Sequence, residues 1–208
     1  MALEVKNVSF AYNKKTPVLK DISFSVAAGE RVALVGPSGY GKSTLAKIIA
    51  GLEQPDKGVV LWRDKPLPQR GYCPIQMICQ HPEKAVNPRW KMARTLNEGW
   101  RPDAAFLEGI GIRQEWLSRW PAELSGGEQQ RFCIARVLGP RTEFLLADEI
   151  STMLDVITQA QIWQLLLGIL RERGMGMIAV THNMALAQRI ADRVIYLPEI
   201  NRIPPPDF

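Results

Sequence analysis

Residues 36–44 read GPSGYGKST and follow the apolar run Arg31-Val32-Ala33-Leu34-Val35 directly. The spacing is G-x-x-x-x-G-K-[ST], which short loops also reach by chance, so its flanks decide its meaning. The β-branched run before it predicts a buried strand, and Lys42-Ser43-Thr44-Leu45-Ala46-Lys47-Ile48-Ile49-Ala50 after it predicts a helix. In that order, backbone N–H groups and the positive helix end converge on phosphate oxygens. Gly36, Gly39 and Gly41 let the chain turn tightly around Pro37, Ser38 and Tyr40. Lys42 then reaches the β- and γ-phosphates of ATP, the Ser43 hydroxyl ligates Mg²⁺, and Thr44 completes the loop. Tyr40 puts a ring into a crowded turn, where it covers the phosphates or packs outward. A flexible glycine turn with a chance lysine would explain neither flank.

Two carboxylates belong to the same chemistry. Asp148-Glu149 closes the apolar strand FLLAD, 144–148, at the sheet edge where Ser43 would hold a metal ion. Asp148 would support Mg²⁺ directly or through water, and Glu149 would polarise a water for in-line attack on the γ-phosphate. His182 follows the strand GMIAVT, 176–181, from where it could contact the γ-phosphate and orient that water. A solvated acidic pair and a structural histidine are the plainer readings of these residues taken singly.

The chain has 208 residues, enough for one α/β domain with a helical insertion. Lys and Arg number 26 against 21 acidic residues, and the net +5 suits an ATP-binding surface, an anionic lipid face or nucleic acid equally. No run approaches the roughly 18 apolar residues of a membrane span, and MALEVKNVSF is strand-like rather than a secretory signal, so a soluble, cytoplasmic chain is expected. Cys73, Cys79 and Cys133 lack a paired spacing and are expected to be reduced core thiols.

Residues 3–10 and 18–26 alternate apolar with polar side chains and predict antiparallel strands joined by a turn at Asn13-Lys14-Lys15. Further strands are expected at 58–62, 74–80 and 193–197, and a helix from 125 through Arg136. Another carries the stripe Ile162, Leu165, Leu166, Ile169 and Leu170, and a short one starts at 183. Strands alternating with helices imply a mostly parallel sheet with its ligand beyond the strand C-termini. Residues 87–123 differ, with Trp90, Trp100, Trp116 and Trp120 spread through short segments that suit a small helical subdomain, each ring anchoring its core. The Pro204-Pro205-Pro206 tail reads as an exposed, extended end.

Leu124-Ser125-Gly126-Gly127-Glu128-Gln129-Gln130-Arg131 is a second glycine loop opening a second helix, hence a second anion-binding terminus. One γ-phosphate has no need of two caps from one chain unless they come from different subunits. LSGGEQQR resembles the signature motif of the ATP-binding cassette ATPases, and the other motifs stand in that family's order over nearly the whole chain. The resemblance implies an α/β P-loop NTPase core with a mostly parallel sheet, an N-terminal antiparallel β layer and a small helical subdomain. It implies one domain, with the core at 1–86 and 137–200, the helical subdomain at about 87–136 and a tail at 201–208. It assigns Tyr12 to stacking on adenine, Val18 to packing beside the base and Gln80 to the Q-loop, a Mg²⁺ and coupling residue. Asp155 becomes the D-loop aspartate and His182 the switch histidine; Leu124, Ser125, Gly126, Gly127, Glu128 and Gln129 face the ATP of a partner subunit. The family usually reads E-P-T-S-A-L-D where this chain has Glu149-Ile150-Ser151-Thr152-Met153-Leu154-Asp155, so a proline is lost at Ile150 and a small residue at Met153.

Gln80-His81-Pro82-Glu83-Lys84-Ala85-Val86-Asn87-Pro88-Arg89 is similar to the Q-x-P-x-x-x-x-N-P-R segment of the oligopeptide, dipeptide and nickel importer branch. That branch implies a second cassette subunit, identical or different, transmembrane permease subunits and an external binding protein that delivers cargo. It places the chain on the cytoplasmic face of the membrane. A C-terminal extension with further cysteines is common there, and this chain stops shortly after 193–197. A soluble cassette acting on DNA or ribosomes would carry long coiled-coil insertions or two cassettes, so nucleic acid is not an expected partner. A P-loop kinase has no use for LSGGEQQR. A weakly hydrolysing regulatory subunit is opposed by Glu149 and His182 and kept open by Met153.

Overall fold

A computed structural model describes residues 2–13, 16–68, 70–152 and 154–203. Lys14 and Lys15 of the expected turn, Met153 and the tail prolines lie outside them. The elements run β1 (Leu3–Phe10), β2 (Leu19–Val26), β3 (Arg31–Val35), α1 (Lys42–Ile49), β4 (Lys57–Trp62), β5 (Lys65–Pro66), β6 (Ile75–Ile78), α2 (Pro82–Ala85), α3 (Met92–Leu96) and α4 (Ala104–Ile110). Then come α5 (Gly126–Val137), β7 (Phe144–Asp148), α6 (Val156–Arg173), β8 (Gly176–Thr181), α7 (Met184–Ile190), β9 (Arg193–Tyr196) and α8 (Leu197–Ile200). The chain divides into two compact units, Met1–Met77 with Glu143–Asp148 and Leu170–Phe208, and Ile78–Thr142 with Glu149–Ile169.

The first unit holds both sheets. One is four-stranded in the order β2-β1-β4-β5, with antiparallel pairing throughout. In β1 the apolar alternation of Leu3 and Val5 breaks at Lys6 and Asn7 and resumes at Val8. Asn7 sits at φ 52°, and the register against both neighbouring strands shifts there, so an irregularity absorbs the extra residue.

The other sheet has the order β6-β7-β8-β3-β9, and the pairs β7–β8, β8–β3 and β3–β9 are parallel. β7 and β8 are buried along their whole length and β3 after its first residue, as strands covered on both faces must be. Leu34, Leu45, Ile48, Ile49, Phe144, Leu146 and Ile178 share one core with Leu3, Leu19 and Ile22 from the antiparallel sheet. Each such side chain removed from water contributes about 1.5–3 kcal/mol.

Two strands are shorter than the sequence suggests. The segment expected at 74–80 is a strand only over Ile75–Ile78; Pro74 has no N–H to donate, and its carbonyl accepts from the Glu143 and Phe144 amides. The one expected at 193–197 stops at Tyr196, since Pro198 cannot continue a ladder and suits a first helical turn; Leu197, fully buried, opens α8.

In the second unit α2, α3 and α4 pack against α5. Trp116 is buried, and Trp100 donates its indole N–H to the Ala135 carbonyl at 2.9 Å while meeting Phe106 edge-on. Trp120 departs from the expected core role and is 43% exposed. Its backbone is anchored, the amide donating to Glu123 Oε2 at 2.7 Å as a short 3-10 turn begins at Pro121. On α6, Ile162, Leu166 and Leu170 are buried and Leu165 and Ile169 partly so; Trp163, outside the expected stripe, is also buried.

Candidate functional site

The register of the parallel sheet sets Val35 opposite Thr181 and Asp148 opposite Val180, so three strand ends lie level at one edge. From that edge the glycine loop leaves β3 and enters α1. Gly41 caps the helix at φ 90°, and a Cβ there would stand 2.9 Å from Val18 Cγ1 and 3.0 Å from Leu19 Cδ2, so the loop has room only for glycine. Val18 thus packs directly beneath the loop.

Lys42 is buried, and its ammonium donates to the Gly36 and Pro37 carbonyls at 2.9 Å each, which offsets the cost of removing a charge from water. Pro37, Ser38 and Gly39 are exposed along the loop crest. Tyr40 resolves its two readings: it is partly buried and packs against the core of its unit. The Ser43 hydroxyl donates to Asp148 Oδ1 at 3.1 Å, and Asp148 is buried. Thr44, buried, lies 3.1 Å from the Tyr12 hydroxyl, with which it shares a hydrogen bond. Tyr12 meets Phe10 edge-on at 4.9 Å and is 62% exposed, leaving ring surface open for stacking. His182, the residue after β8, is exposed.

In the second unit, Glu149 takes φ 47°, a left-handed conformation uncommon for a residue with a side chain. Gln80 Nε2 donates to Glu149 Oε2 at 3.2 Å and lies 3.4 Å from Thr152 Oγ1. Ser125 caps α5 in a reciprocal box, its amide donating to Glu128 Oε2 at 2.8 Å and the Glu128 amide to Ser125 Oγ at 3.3 Å. Ser125, Gly126, Gly127 and Glu128 line a cleft of about 530 Å³ together with Arg113, Trp116, Arg131, Leu154, Asp155, Thr158 and Gln161. Leu124 and Gln129 do not line it. Both are buried, and Gln129 Nε2 donates to the Pro121 and Leu124 carbonyls, holding the loop from behind.

The charged groups of the cleft are all partnered: Arg131 donates to the Ile110 carbonyl and Arg113 lies 3.8 Å from Glu115, while Glu128 is held in the box and Asp155 by the Ile157 and Thr158 amides at the start of α6. Hydrogen bonds from Thr158, side chain and backbone, hold the Asp155 carboxyl below the usual carboxylate range. Sequence reasoning passed over Arg113, Thr158 and Gln161. Arg131 stood inside the quoted LSGGEQQR, and its Nη2 donates to Gln161 Oε1 at 3.1 Å. The cysteines are free thiols, and among the described residues no group of three or more His, Cys, Asp or Glu converges as a metal site.

A parallel sheet with a glycine loop, a buried lysine and a hydroxyl–carboxylate pair at its strand ends defines a P-loop nucleotide-binding protein. Residues 19–152 match the ABC transporter family model, and the chain belongs to that family as an ATP-binding cassette ATPase. It is 38% identical over 203 residues to the nickel import ATP-binding protein NikE of Rhodospirillum rubrum, covering 88% of this chain and 73% of that one. It is 34% identical over 212 residues to the oligopeptide transport ATP-binding protein OppF of Haemophilus influenzae, covering 92% of this chain and 64% of that one. Among solved structures, it is similar to the dimeric post-hydrolysis state of the ATP-binding cassette MJ0796 bound to ADP and Pi, with TM-score 0.77, 26% identity and 93% of each chain covered. It is likewise similar to cbiO1 of Clostridium perfringens, with TM-score 0.76, 25% identity and 94% and 84% covered. Among the described residues no helix is long and apolar enough to cross a membrane.

Proposed function

We propose that this ATPase powers an importer of nickel, its chelates or short peptides, paired with a second cassette and docked beneath permease subunits on the cytoplasmic face of the membrane. The likeness to NikE and OppF supports the cargo class. The observation that carries the paired arrangement is that Lys42 and Ser125 open separate helices, each beginning in a glycine loop. One cap serves this chain's own nucleotide, and the other meets the nucleotide bound by the partner.

In this reading Tyr12 stacks on adenine, the loop amides and Lys42 neutralise the β- and γ-phosphates, and Ser125, Gly126 and Gly127 close over the partner's γ-phosphate. Glu149 accepts a proton from the attacking water, His182 orients that water, and Asp155 helps form the contact between subunits. The Ser43 hydroxyl and Asp148 carboxylate, 3.1 Å apart, are the hard oxygen donors that Mg²⁺ prefers and would hold it. When bound, Mg²⁺ supplies charge neutralisation to the β- and γ-phosphates.

Glu149→Gln keeps the side chain's shape and removes its basicity, so hydrolysis falls by roughly a hundredfold or more with ATP affinity retained. ATP then accumulates a closed dimer, measured by light scattering with the natural partner cassette supplied. A variant that stays monomeric with ATP overturns the paired arrangement. Cargo is tested by uptake of labelled nickel and labelled dipeptide in cells with and without this chain; equal uptake of both in both strains removes the importer reading.

A further inference from the structure

We infer that Ser151 positions Glu149, through a hydrogen-bonded clamp onto α6 made with Gln159 and Trp163; this rests on the reading of Glu149 as the group that polarises the attacking water.

The turn after β7 has a problem to solve. Glu149 occupies φ 47° with a full side chain, a conformation that persists only where surrounding contacts enforce it. The next residue is Ile150, whose φ no ring restrains. Enforcement comes from the two hydroxyl residues that follow. Thr152 donates its amide and its hydroxyl to the Glu149 carbonyl at 3.3 and 3.0 Å, closing the turn on itself. Gln80 holds the Glu149 carboxylate at Oε2.

Ser151 ties that turn to a rigid element. Its oxygen accepts from Gln159 Nε2 at 2.8 Å and Trp163 Nε1 at 3.0 Å. Gln159 and Trp163 are four residues apart on α6 and therefore share a face. Ser151 is 3% exposed and Trp163 5%. The indole N–H can only donate, so without the serine oxygen it would be a buried donor with no acceptor. The clamp thus fixes where the turn sits on α6, and so where the Glu149 carboxylate points. Ser151 touches no reacting atom in this reading; it is a positioning residue.

The test is a double-mutant cycle on ATP hydrolysis with Ser151→Ala, Glu149→Gln and both together. Ser151→Ala lowers kcat about tenfold and leaves the KM for ATP within about twofold, because misplacing a reacting group by a fraction of an ångström has effects of that size. In the Glu149→Gln background the same change has almost no further effect, because the group being positioned is gone. A purely structural serine would lower turnover by the same factor in both backgrounds, and that result overturns the inference, as does an unchanged kcat in Ser151→Ala. Normal turnover in Glu149→Gln alone overturns the reading of Glu149 instead, so the two failures are distinguishable. Should Ser151→Ala not fold, Gln159→Leu removes one of the two donors at a part-buried position, and the same comparison is made with an expected loss of about threefold.

Discussion

Ser43 and Asp148 stand 105 residues apart in the chain, and the serine hydroxyl donates to the aspartate Oδ1 at 3.1 Å. The contact joins the first turn of α1 to the last residue of β7. Neither residue carries its meaning alone: a serine after a glycine loop and an aspartate at a strand end become a pair of hard oxygens only because the parallel sheet levels the ends of β3 and β7.

Asp148→Asn retains the shape of that side chain and one acceptor oxygen while removing its charge. Affinity for ATP in the presence of Mg²⁺ is expected to drop about ten- to hundredfold, the loss typical of one charge-assisted contact. Affinity for ATP with the metal chelated stays within about twofold, the same principle assigning no charged contact there. Calorimetric titration under both conditions reads the difference, and equal losses would remove Asp148 from the metal's surroundings.

Gly41→Ala adds a methyl group 2.9 Å from Val18 Cγ1 at φ 90°. The strain of a side chain in that region costs about 1–3 kcal/mol, so the urea midpoint falls. ATP affinity falls with it, because the loop must shift to accept the new atom. A variant with unchanged midpoint and affinity would show that the loop tolerates side chains there.

Arg89 and Trp90 begin the stretch leading into α3, and Arg94 lies 4.0 Å over the Trp90 ring. Changing both to alanine is expected to leave ATP binding by the isolated chain within about twofold of normal while membrane assembly and transport are lost, as for an anchoring aromatic with its neighbouring arginine. Reconstituted vesicles that transport at the normal rate with this folded variant would put the docking surface elsewhere.

Burial pushes the Cys133 thiol up to about 11. Its folded-state value lies above the unfolded one, so its contribution to stability is present below pH about 9 and is lost as pH rises towards 11. Wild-type protein should therefore lose more stability between those limits than Cys133→Ala does. Alkylation of Cys133 in the folded chain should be very slow at pH 8, since burial keeps the thiol protonated and covered there. Rapid labelling at pH 8, mapped by mass spectrometry, contradicts this.

What the sequence determined by itself is whatever a few adjacent residues settle among themselves. Glycines at 36, 39 and 41 followed by Lys42 specify a phosphate-binding turn, because the backbone donors and the helix end belong to one short stretch. Ser125 with Glu128 specifies a helix start for the same reason, and the apolar runs at 31–35, 144–148 and 176–181 specify buried strands. Tertiary packing decided the rest. Residues 36–44 do not reveal that Tyr40 packs against the core, nor does the tryptophan count reveal that Trp120 lies open to solvent while Trp163 is buried. Gln129 stands in the signature stretch, yet it is buried against the Pro121 and Leu124 carbonyls. The hold of Trp163 on Ser151, like that of Asp148 on Ser43, joins residues whose separation has no period a sequence can display. Hydrogen-bond geometry over three or four residues follows from the backbone; over a dozen or a hundred it follows only from how strands and helices pack.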